Sequence, residues 1–271
     1  MDVALSRHGA WLLRSFFALI VVLLYAPIVV LLIFSFNDSA LPTFPLSGFT
    51  LRWYHQFLTN ADLQGALKTS AIIAALSSLG AVALGMLAAI ALVRHPFRGG
   101  GPVSALLLSP LVIPFIVFGT SLLLLFHAVG VHLGIKTVVI GHIVITIPYA
   151  MLVMIPRLQH IDVSLEQAAY DLGASRLRTF RSITLPLMLP AVVSAYLIAF
   201  TTSFDEYAVA SFVKGSTVTF PVYLYAALRF PNQLPQVIAV AVVVISVSLL
   251  VVIVAEVGRR IAERRLGELE A

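Results

Sequence analysis

The sequence predicts an all-α, polytopic membrane protein with about six transmembrane helices, from its composition, its hydropathy and its long apolar runs. Apolar residues make up 60% of the 271 residues, charged residues only 11%, and the mean hydropathy is +1.03. A water-soluble domain of this length could not bury so much apolar surface. The runs are long enough to reach the roughly 20 residues that cross a hydrocarbon core as a helix. Lipid is therefore expected to be the solvent for most of the chain.

Six apolar runs define the predicted spans, at residues 15–36, 66–93, 103–129, 137–155, 187–213 and 236–257. The first follows Arg7 and Arg14, as in a signal peptide, but it is too long for that and is expected to remain as an anchor. Small residues crowd the second run, which favours close helix packing in lipid. Pro110 and Pro114 are expected to kink the third run.

The distribution of basic residues predicts the orientation of the spans. Six spans place both termini and the loops 94–101 and 156–186 on one side, and that side carries twelve of the 17 lysines and arginines. Cytoplasmic loops carry such an excess. Residues 1–14 and 259–271 are therefore predicted as cytoplasmic N-terminus and tail, flanking a transmembrane domain at 15–258 with a core of about 66–257.

Two segments on the opposite side are longer than simple connectors. In residues 37–65, the aromatic residues Phe49, Trp53, Tyr54 and Phe57 can share one helical face. Such a face is typical of helices that lie in the membrane interface. Residues 214–235 are rich in proline and aromatic residues. Both segments are read as interfacial anchors, with contact to an external partner as the alternative.

A polar stretch, LEQAAYDLGASRLRTFRSITLP at residues 165–186, separates the fourth and fifth spans. Ser164 and Gln167 match a capping box, so a helix is expected to start there. Gly173 is placed to end that helix in the left-handed conformation. Ser175 is expected to cap a second short helix, and Pro186 marks the return to the membrane. The stretch is thus predicted to form a cytoplasmic helix-turn-helix that another protein can approach closely.

The spacing in this stretch resembles the signature loop of binding-protein-dependent ABC importer permeases, which reads E-A-A, three residues, G, nine residues, I-x-L-P. The matching positions are Ala168, Ala169, Gly173, Ile183, Leu185 and Pro186. Gln167 stands where the family has glutamate, and Glu166 precedes it, so the sequence leaves open which of these side chains, if either, makes the family's acidic contact. The resemblance implies a permease with the type I importer fold.

In that family the loop is a coupling helix that docks on a separate ATP-hydrolysing subunit. The resemblance implies that a dimer of such subunits, which binds ATP and Mg, switches the spans between inward- and outward-facing states. No G-x-x-x-x-G-K-[ST] loop occurs in this sequence, so the chain itself is expected to be neither an enzyme nor a cofactor-binding protein. The predicted docking residues are Glu166, Gln167, Ala168, Ala169, Asp171, Gly173, Ala174, Ile183, Leu185 and Pro186.

Within the family, the chain looks most similar to permeases for polyamines and related amino compounds. The stretches that carry this likeness are 109–126, 139–154 and 199–215. The resemblance implies a bacterial-type inner membrane, an external solute-binding protein and a second, unlike permease chain as partners. Phe115 stands where an acidic residue is common in polyamine permeases, so a less cationic amine or a zwitterion fits as well as a polyamine.

Asp205 and Glu206 lie about 18 residues into the predicted fifth span. Ionised carboxylates are costly in lipid, by roughly 2.5 kcal/mol or more at mid-bilayer, and usually face a cavity or a partner. The pair is read either as lining the path of a cationic or zwitterionic substrate, or as pairing with a basic residue at an interface. Adjacent helical residues point about 100° apart, so one of the two is expected to face the path.

His142 and His127, in the fourth and third spans, lack carboxylate or thiol neighbours at metal-ligand spacing. They are expected to form hydrogen bonds between helices, and no metal site is predicted. The sequence disfavours two other protein classes. An intramembrane enzyme would need a nucleophile with a base, or paired metal ligands, and neither pattern occurs. A secondary transporter would normally show inverted repeats, which the sequence lacks.

Overall fold

The computed structural model describes residues 7–267, most of which are helical. The helices are α1 (Arg7–Phe34), α2 (Arg52–Thr59), α3 (Ala61–Arg94), α4 (Gly100–Leu108), α5 (Phe115–Ala128), α6 (Ile135–Gln159), α7 (Val163–Asp171), α8 (Arg176–Thr179), α9 (Leu185–Phe204), α10 (Ala208–Val213), α11 (Phe220–Ala227) and α12 (Leu234–Gly267). Short 3-10 turns lie at Ser109–Leu111 and Pro231–Gln233, and a π-helical turn lies at Phe180–Thr184. The all-α prediction is confirmed.

Five stretches within the described residues are long and apolar enough to cross a membrane: Trp11–Phe34, Ala61–Arg94, Ile135–Gln159, Arg176–Phe204 and Pro231–Leu250. A sixth crossing is counted if Gly100–Leu111 and Phe115–Ala128 are taken together. These two helices meet at a bend of 105°. The third predicted span is therefore broken rather than merely kinked, because Pro114 cannot donate a backbone hydrogen bond and holds an extended conformation at the start of α5.

The contacts divide the chain into two units, one formed by Asp62–Tyr223 and the other by the described residues before and after it. In the Asp62–Tyr223 unit, small side chains let α3 approach α6 closely, as the composition of the second run predicted. A Cβ atom on Gly85 would lie 3.0 Å from the Ala150 Cβ atom and 3.6 Å from the Met151 backbone nitrogen. Such close approach replaces the missing hydrophobic driving force between helices in lipid.

The interior of the Asp62–Tyr223 unit contains two large apolar clusters. One joins α3, α6 and α9, with Met86, Met154, Leu158 and Met188 buried among smaller side chains. The other joins α3, α5, α6 and α10 around Ile73, Phe126, Ile145 and Val209. The two clusters hold α6 between its neighbours. The side chains of α6 that face these clusters therefore lie in the interior, and a polar residue among them must find its partner inside the protein.

In the other unit, α12 packs against α1 and α2. The aromatic residues of the 37–65 segment do not form the shared outward face that the sequence suggested. Phe49 precedes α2 and is 80% exposed, whereas Trp53 is buried and its Nε1 donates a 2.8 Å hydrogen bond to the Asn37 carbonyl oxygen. Tyr54 Oη lies 2.7 Å from Ser35 Oγ. The polar ends of Trp53 and Tyr54 therefore bind within the chain, and the shared outward face is wrong for Trp53, which is buried.

Candidate functional site

The predicted helix-turn-helix is present at residues 163–179, but its first helix begins differently from the expectation. The N-cap of α7 is Asp162, whose carboxylate accepts a 2.9 Å hydrogen bond from the Ser164 backbone nitrogen. The capping box predicted from Ser164 and Gln167 does not form, because the helix already includes Val163. The hydrogen bonds from Ser164 lower the pKa of the Asp162 carboxyl group. The stabilisation of α7 by this cap is therefore fully present at pH values above the ordinary carboxyl pKa. It is lost as the pH falls through the lowered pKa of Asp162.

Gly173 ends α7 as predicted. Its φ angle is +82°, in the left-handed region that glycine adopts without a side-chain clash. The Ala174 nitrogen donates to the Ala169 carbonyl and the Gly173 nitrogen to the Tyr170 carbonyl, each at 2.9 Å. This pair of bonds is a Schellman motif, which satisfies the last carbonyl groups of a helix. Ser175 then caps α8 through the Arg178 nitrogen, also as predicted.

The return to the membrane is helical throughout, from Arg176 to Phe204. Pro186 lies in the first turn of α9 and does not interrupt the helix. The π-helical turn Phe180–Thr184 immediately precedes it. Pro186 lacks a backbone donor and its ring crowds the preceding turn, and the wider π-helical turn accommodates it. Movement of α8 can therefore pass to α9 without an intervening flexible loop.

Glu166 faces into the protein. Only 8% of its surface is exposed, and its Oε1 accepts a 2.8 Å hydrogen bond from Thr184 Oγ1. Its Oε2 lies 3.2 Å from Arg94 Nε, and the Arg94 guanidinium also donates to the Ile161 carbonyl oxygen at 2.9 Å. Glu166 thus links α7 to the end of α3 and to the residue that precedes α9. We call these three residues, Arg94, Glu166 and Thr184, the inner clamp.

The other predicted docking residues divide by exposure. Gln167, Ala168, Asp171, Gly173 and Pro186 are exposed, whereas Ala169, Ala174, Ile183 and Leu185 are partly buried. Three basic residues of the same segment, Arg176, Arg178 and Arg181, are also exposed. The accessible surface of the helix-turn-helix therefore carries Gln167, Ala168 and Asp171 together with exposed apolar side chains of α7, such as Leu165 and Tyr170. A basic face on the following helix lies beside it. Of the two residues considered for the acidic position, only Gln167 lies on that surface.

A cavity of about 320 Å³ lies beside the inner clamp. Arg94, His95 and Arg176 contribute basic groups to its wall, and Ile90 and Phe180 contribute apolar surface. The cavity separates the end of α3 from the start of α8. The helix-turn-helix is therefore attached to α3 through the clamp and is not packed against it along its whole length.

The predicted acidic pair does not lie within a helix. The fifth span ends at Phe204, Asp205 is the residue that closes α9, and α10 begins at Ala208. The prediction of one continuous span at 187–213 is wrong here, because the apolar pattern runs on through a break in the backbone. Asp205 is exposed, whereas only 5% of the surface of Glu206 is exposed. One member of the pair is therefore accessible and the other is buried.

Glu206 belongs to a buried chain of polar side chains. Its Oε1 and Oε2 accept hydrogen bonds from the Val209 and Ala210 backbone nitrogens, at 2.8 and 3.0 Å. Its Oε2 also lies 3.2 Å from His142 Nε2. His142 Nδ1 lies 2.7 Å from Ser203 Oγ, so the predicted bond between helices is confirmed for this histidine.

His127, by contrast, is exposed at the end of α5, and its side chain forms no bond between helices among the described residues. Ser77 is a further member of this polar chain that the sequence did not predict: its Oγ lies 2.8 Å from Ser203 Oγ. Both serines are buried. A serine within an apolar span can indicate a buried hydrogen bond. Serines also occur in spans only because their small side chains allow close helix packing, so the pattern did not identify Ser77.

Comparisons with known proteins agree with the resemblance. Residues 81–267 match the family described as "Binding-protein-dependent transport system inner membrane component". The chain is 39% identical over 230 residues to the putrescine transport system permease protein PotI of Escherichia coli K12, covering 82% of this chain and 81% of that protein. It is 36% identical over 253 residues to the spermidine/putrescine transport system permease protein PotC of the same strain, covering 93% and 95%.

A solved structure has the same fold. It is a chain of a bacterial ABC transporter involved in the import of the acidic polysaccharide alginate, with a TM-score of 0.73 and 17% sequence identity. The similarity covers 94% of this chain and 98% of that one. At this identity the likeness concerns the fold and not the transported molecule.

Proposed function

The chain belongs to the family of binding-protein-dependent transport system inner membrane components, and on that premise we propose that it is a permease subunit that imports a small amino compound of the putrescine and spermidine class. The observation that carries this proposal is the length and level of its similarity to permeases named for these compounds. Both likenesses exceed 35% identity and extend over more than four fifths of each chain. The role of the chain is transport, and the fold is that of an ABC importer permease.

We propose that the energy comes from a separate pair of ATPase subunits, which bind ATP and Mg and dock on α7. The exposed Ala168 supports this role, since a small side chain allows close approach of a partner. The exposed amide of Gln167 lies next to it in the chain. The inner clamp supports it as well. A push on α7 passes through Glu166 to Arg94 on α3 and to Thr184 at the start of α9.

The remaining partners follow from the class of transporter. ABC importers of this family work with an external solute-binding protein and with a second permease, and we propose that the second permease is a different, paralogous chain. The relatives are inner membrane components, which supports the same location for this chain. Twelve of the 17 basic residues lie on the side of the termini and of α7, which supports a cytoplasmic position for both.

We propose that Asp205, rather than Glu206, meets the substrate. Asp205 is exposed beside the break between α9 and α10, whereas both carboxylate oxygens of Glu206 already bind within the protein. An exposed carboxylate at the end of an apolar helix attracts a cationic amine, and the high free-energy cost of a charge near lipid favours a functional role for it.

The proposal is tested by reconstitution. The chain is placed in liposomes with its partner permease and ATPase subunits, and radiolabelled putrescine or spermidine is supplied with the cognate binding protein. We expect uptake that depends on ATP and on the binding protein. Uptake of a neutral solute but of neither diamine nor triamine would refute the substrate class. If the chain is purified from native membranes in mild detergent without any ATPase subunit, the proposal that separate ATPase subunits drive it is refuted.

A further inference from the structure

The cavity beside the inner clamp lies where two membrane spans end on the same side. Arg94 is the last residue of the span Ala61–Arg94, and Arg176 is the first residue of the span Arg176–Phe204. Both residues line the cavity, whose volume is about 320 Å³. The ends of spans lie near the lipid headgroups, and cavities that bind small ligands usually have volumes of about 300–1,000 Å³. The cavity is therefore suitably placed and large enough for a lipid headgroup.

The guanidinium group of Arg94 has hydrogen-bond donors that its own chain does not use. Nη2 donates to the Ile161 carbonyl oxygen, and Nε lies 3.2 Å from Glu166 Oε2. Nη1 forms no hydrogen bond within the described part of the chain, although the Arg94 side chain is only 9% exposed. Buried donors nearly always have an acceptor. The remaining N–H groups of Arg94 can therefore bind an acceptor that enters the cavity.

Two further donors lie in the wall of the cavity. His95 and Arg176 are exposed, and neither side chain forms a hydrogen bond or an ion pair with another described residue. The carboxylate in the wall, Glu166, is already engaged by Thr184 and Arg94. Its charge offsets that of Arg94, so Arg176 leaves the wall with an excess of positive charge. Arginine binds phosphate through two parallel N–H groups, which makes a phosphate group a matching ligand.

The rest of the wall is largely apolar. Ile90, Leu177 and Phe180 line the same cavity. Leu177 is 59% exposed although it lies next to Arg176 in the chain. A free phosphate ion cannot bury this apolar surface, whereas the glycerol group and the first methylene groups of a lipid can. The combination of basic and apolar groups therefore favours a phospholipid over a soluble anion.

We propose that the cavity binds the phosphate of an anionic phospholipid, with Arg94 and His95 at the end of α3 on one side and Arg176 at the start of α8 on the other. Basic pockets between spans on the cytoplasmic side of membrane proteins bind such headgroups, because that leaflet carries anionic lipids. The distribution of basic residues favours the cytoplasmic side for this end of the spans. Lipid binding requires no assumption about the transported molecule.

A phospholipid in this cavity adds a second link between α3 and the helix-turn-helix. The inner clamp joins them through Glu166, and the phosphate joins them through Arg176, across the cavity. The lipid therefore holds α8 in place relative to α3. Its effect on uptake rests on the proposed function, because it depends on α7 passing a push to the spans.

Binding is measured by native mass spectrometry of the purified permease complex, titrated with phosphatidylglycerol in mild detergent. We expect a saturable lipid adduct, with a dissociation constant that rises roughly 5-fold in Arg176→Gln and further when His95→Gln is added. Arg178→Gln is the matched control, because Arg178 is an exposed arginine of the same helix that does not line the cavity. An equal rise in all variants, or equal affinity for phosphatidylcholine, would overturn the proposal.

Melting of the unmodified complex separates the lipid from a soluble anion. In nanodiscs, we expect a higher Tm in phosphatidylcholine mixed with phosphatidylglycerol than in phosphatidylcholine alone, and Arg176→Gln should lose most of this difference. An equal Tm in the two kinds of nanodisc would refute the site. If inorganic phosphate raises the Tm as much in pure phosphatidylcholine, the ligand is a free anion and the lipid assignment is wrong. Neither binding nor melting requires transport, so a failure of the substrate assignment leaves both tests valid.

Uptake tests the linking role of the lipid. In proteoliposomes, ATP-driven uptake by the parent and by Arg178→Gln should rise with the content of phosphatidylglycerol, whereas uptake by Arg176→Gln should rise less. The same response in all three proteins would show that the bound lipid does not support the link between α8 and α3.

Discussion

Glu166 Oε2 lies 3.2 Å from Arg94 Nε, so the acid that precedes the signature alanines points into its own chain. The side chains of both residues are about nine-tenths buried. The same carboxylate accepts the Thr184 hydroxyl, and thereby one buried group joins α7, the end of α3 and the start of α9. Glu166 therefore joins the helix-turn-helix to the spans and does not belong to the exposed face of α7.

The inner clamp is expected to contribute stability that depends on charge balance. Arg94→Met leaves Glu166 buried without a counter-ion, and we expect it to cost about 3 kcal/mol. Thermal melting of the complex in mild detergent measures the loss. Arg94→Met combined with Glu166→Gln removes both charges and should recover part of it. Arg98→Met, at an exposed arginine of the same loop, is the control and should change little. An Arg94→Met variant that melts with the parent would contradict the clamp.

Docking on the exposed face of α7 can be tested by cross-linking, and the chain offers a clean background because it contains no cysteine. We expect Gln167→Cys and Ala168→Cys to cross-link to an ATPase subunit in native membranes. Thr179→Cys is the matched control, since Thr179 lies on the adjacent helix but is only 2% exposed. Equal capture from all three positions, or capture from Thr179→Cys alone, would refute this docking face.

The turn after α7 should tolerate asparagine better than a branched residue. Gly173 has a φ angle of +82° and open space around its Cα atom, so strain arises from the backbone alone. A left-handed conformation costs roughly 1–2 kcal/mol for an ordinary L-residue, and asparagine adopts it more readily. Gly173→Val should therefore reduce ATP-driven uptake strongly, whereas Gly173→Asn should retain most of it. Normal uptake by a well-expressed Gly173→Val variant would count against the turn as a rigid element.

The two acids at the end of α9 should respond differently to neutral replacement. Asp205→Asn removes an exposed charge, and we expect an unchanged Tm with a roughly 5-fold rise in the half-saturating amine concentration, the effect of about 1 kcal/mol. Melting curves and uptake kinetics of one preparation measure both quantities. Glu206→Gln should instead lower the Tm. Identical kinetics for Asp205→Asn and the parent would remove Asp205 from the substrate path.

Local patterns sufficed for much of the candidate site. Gly173 was placed correctly because a left-handed turn is decided by a few consecutive residues, and Ser175 was placed correctly as a cap for the same reason. The cap of α7 was misplaced by two residues, since Asp162 and Ser164 are both good caps and tertiary contacts choose between them. His142 was expected to bond between helices and does, but its partners lie 61 and 64 residues away in the sequence.

The sequence by itself determined the membrane class, the approximate spans and the signature loop, because each depends on the composition or spacing of neighbouring residues. Tertiary structure alone decided which member of two adjacent pairs is buried: Glu166 rather than Gln167, and Glu206 rather than Asp205. Neighbouring positions differ by about 100° around a helix axis, so a small change of helix rotation or a break in the backbone exchanges inside for outside. The break after Phe204 was invisible in the sequence because the apolar pattern continues through it. Burial of a carboxylate depends on a distant partner, here Arg94 or His142, and only the packed helices bring that partner within reach.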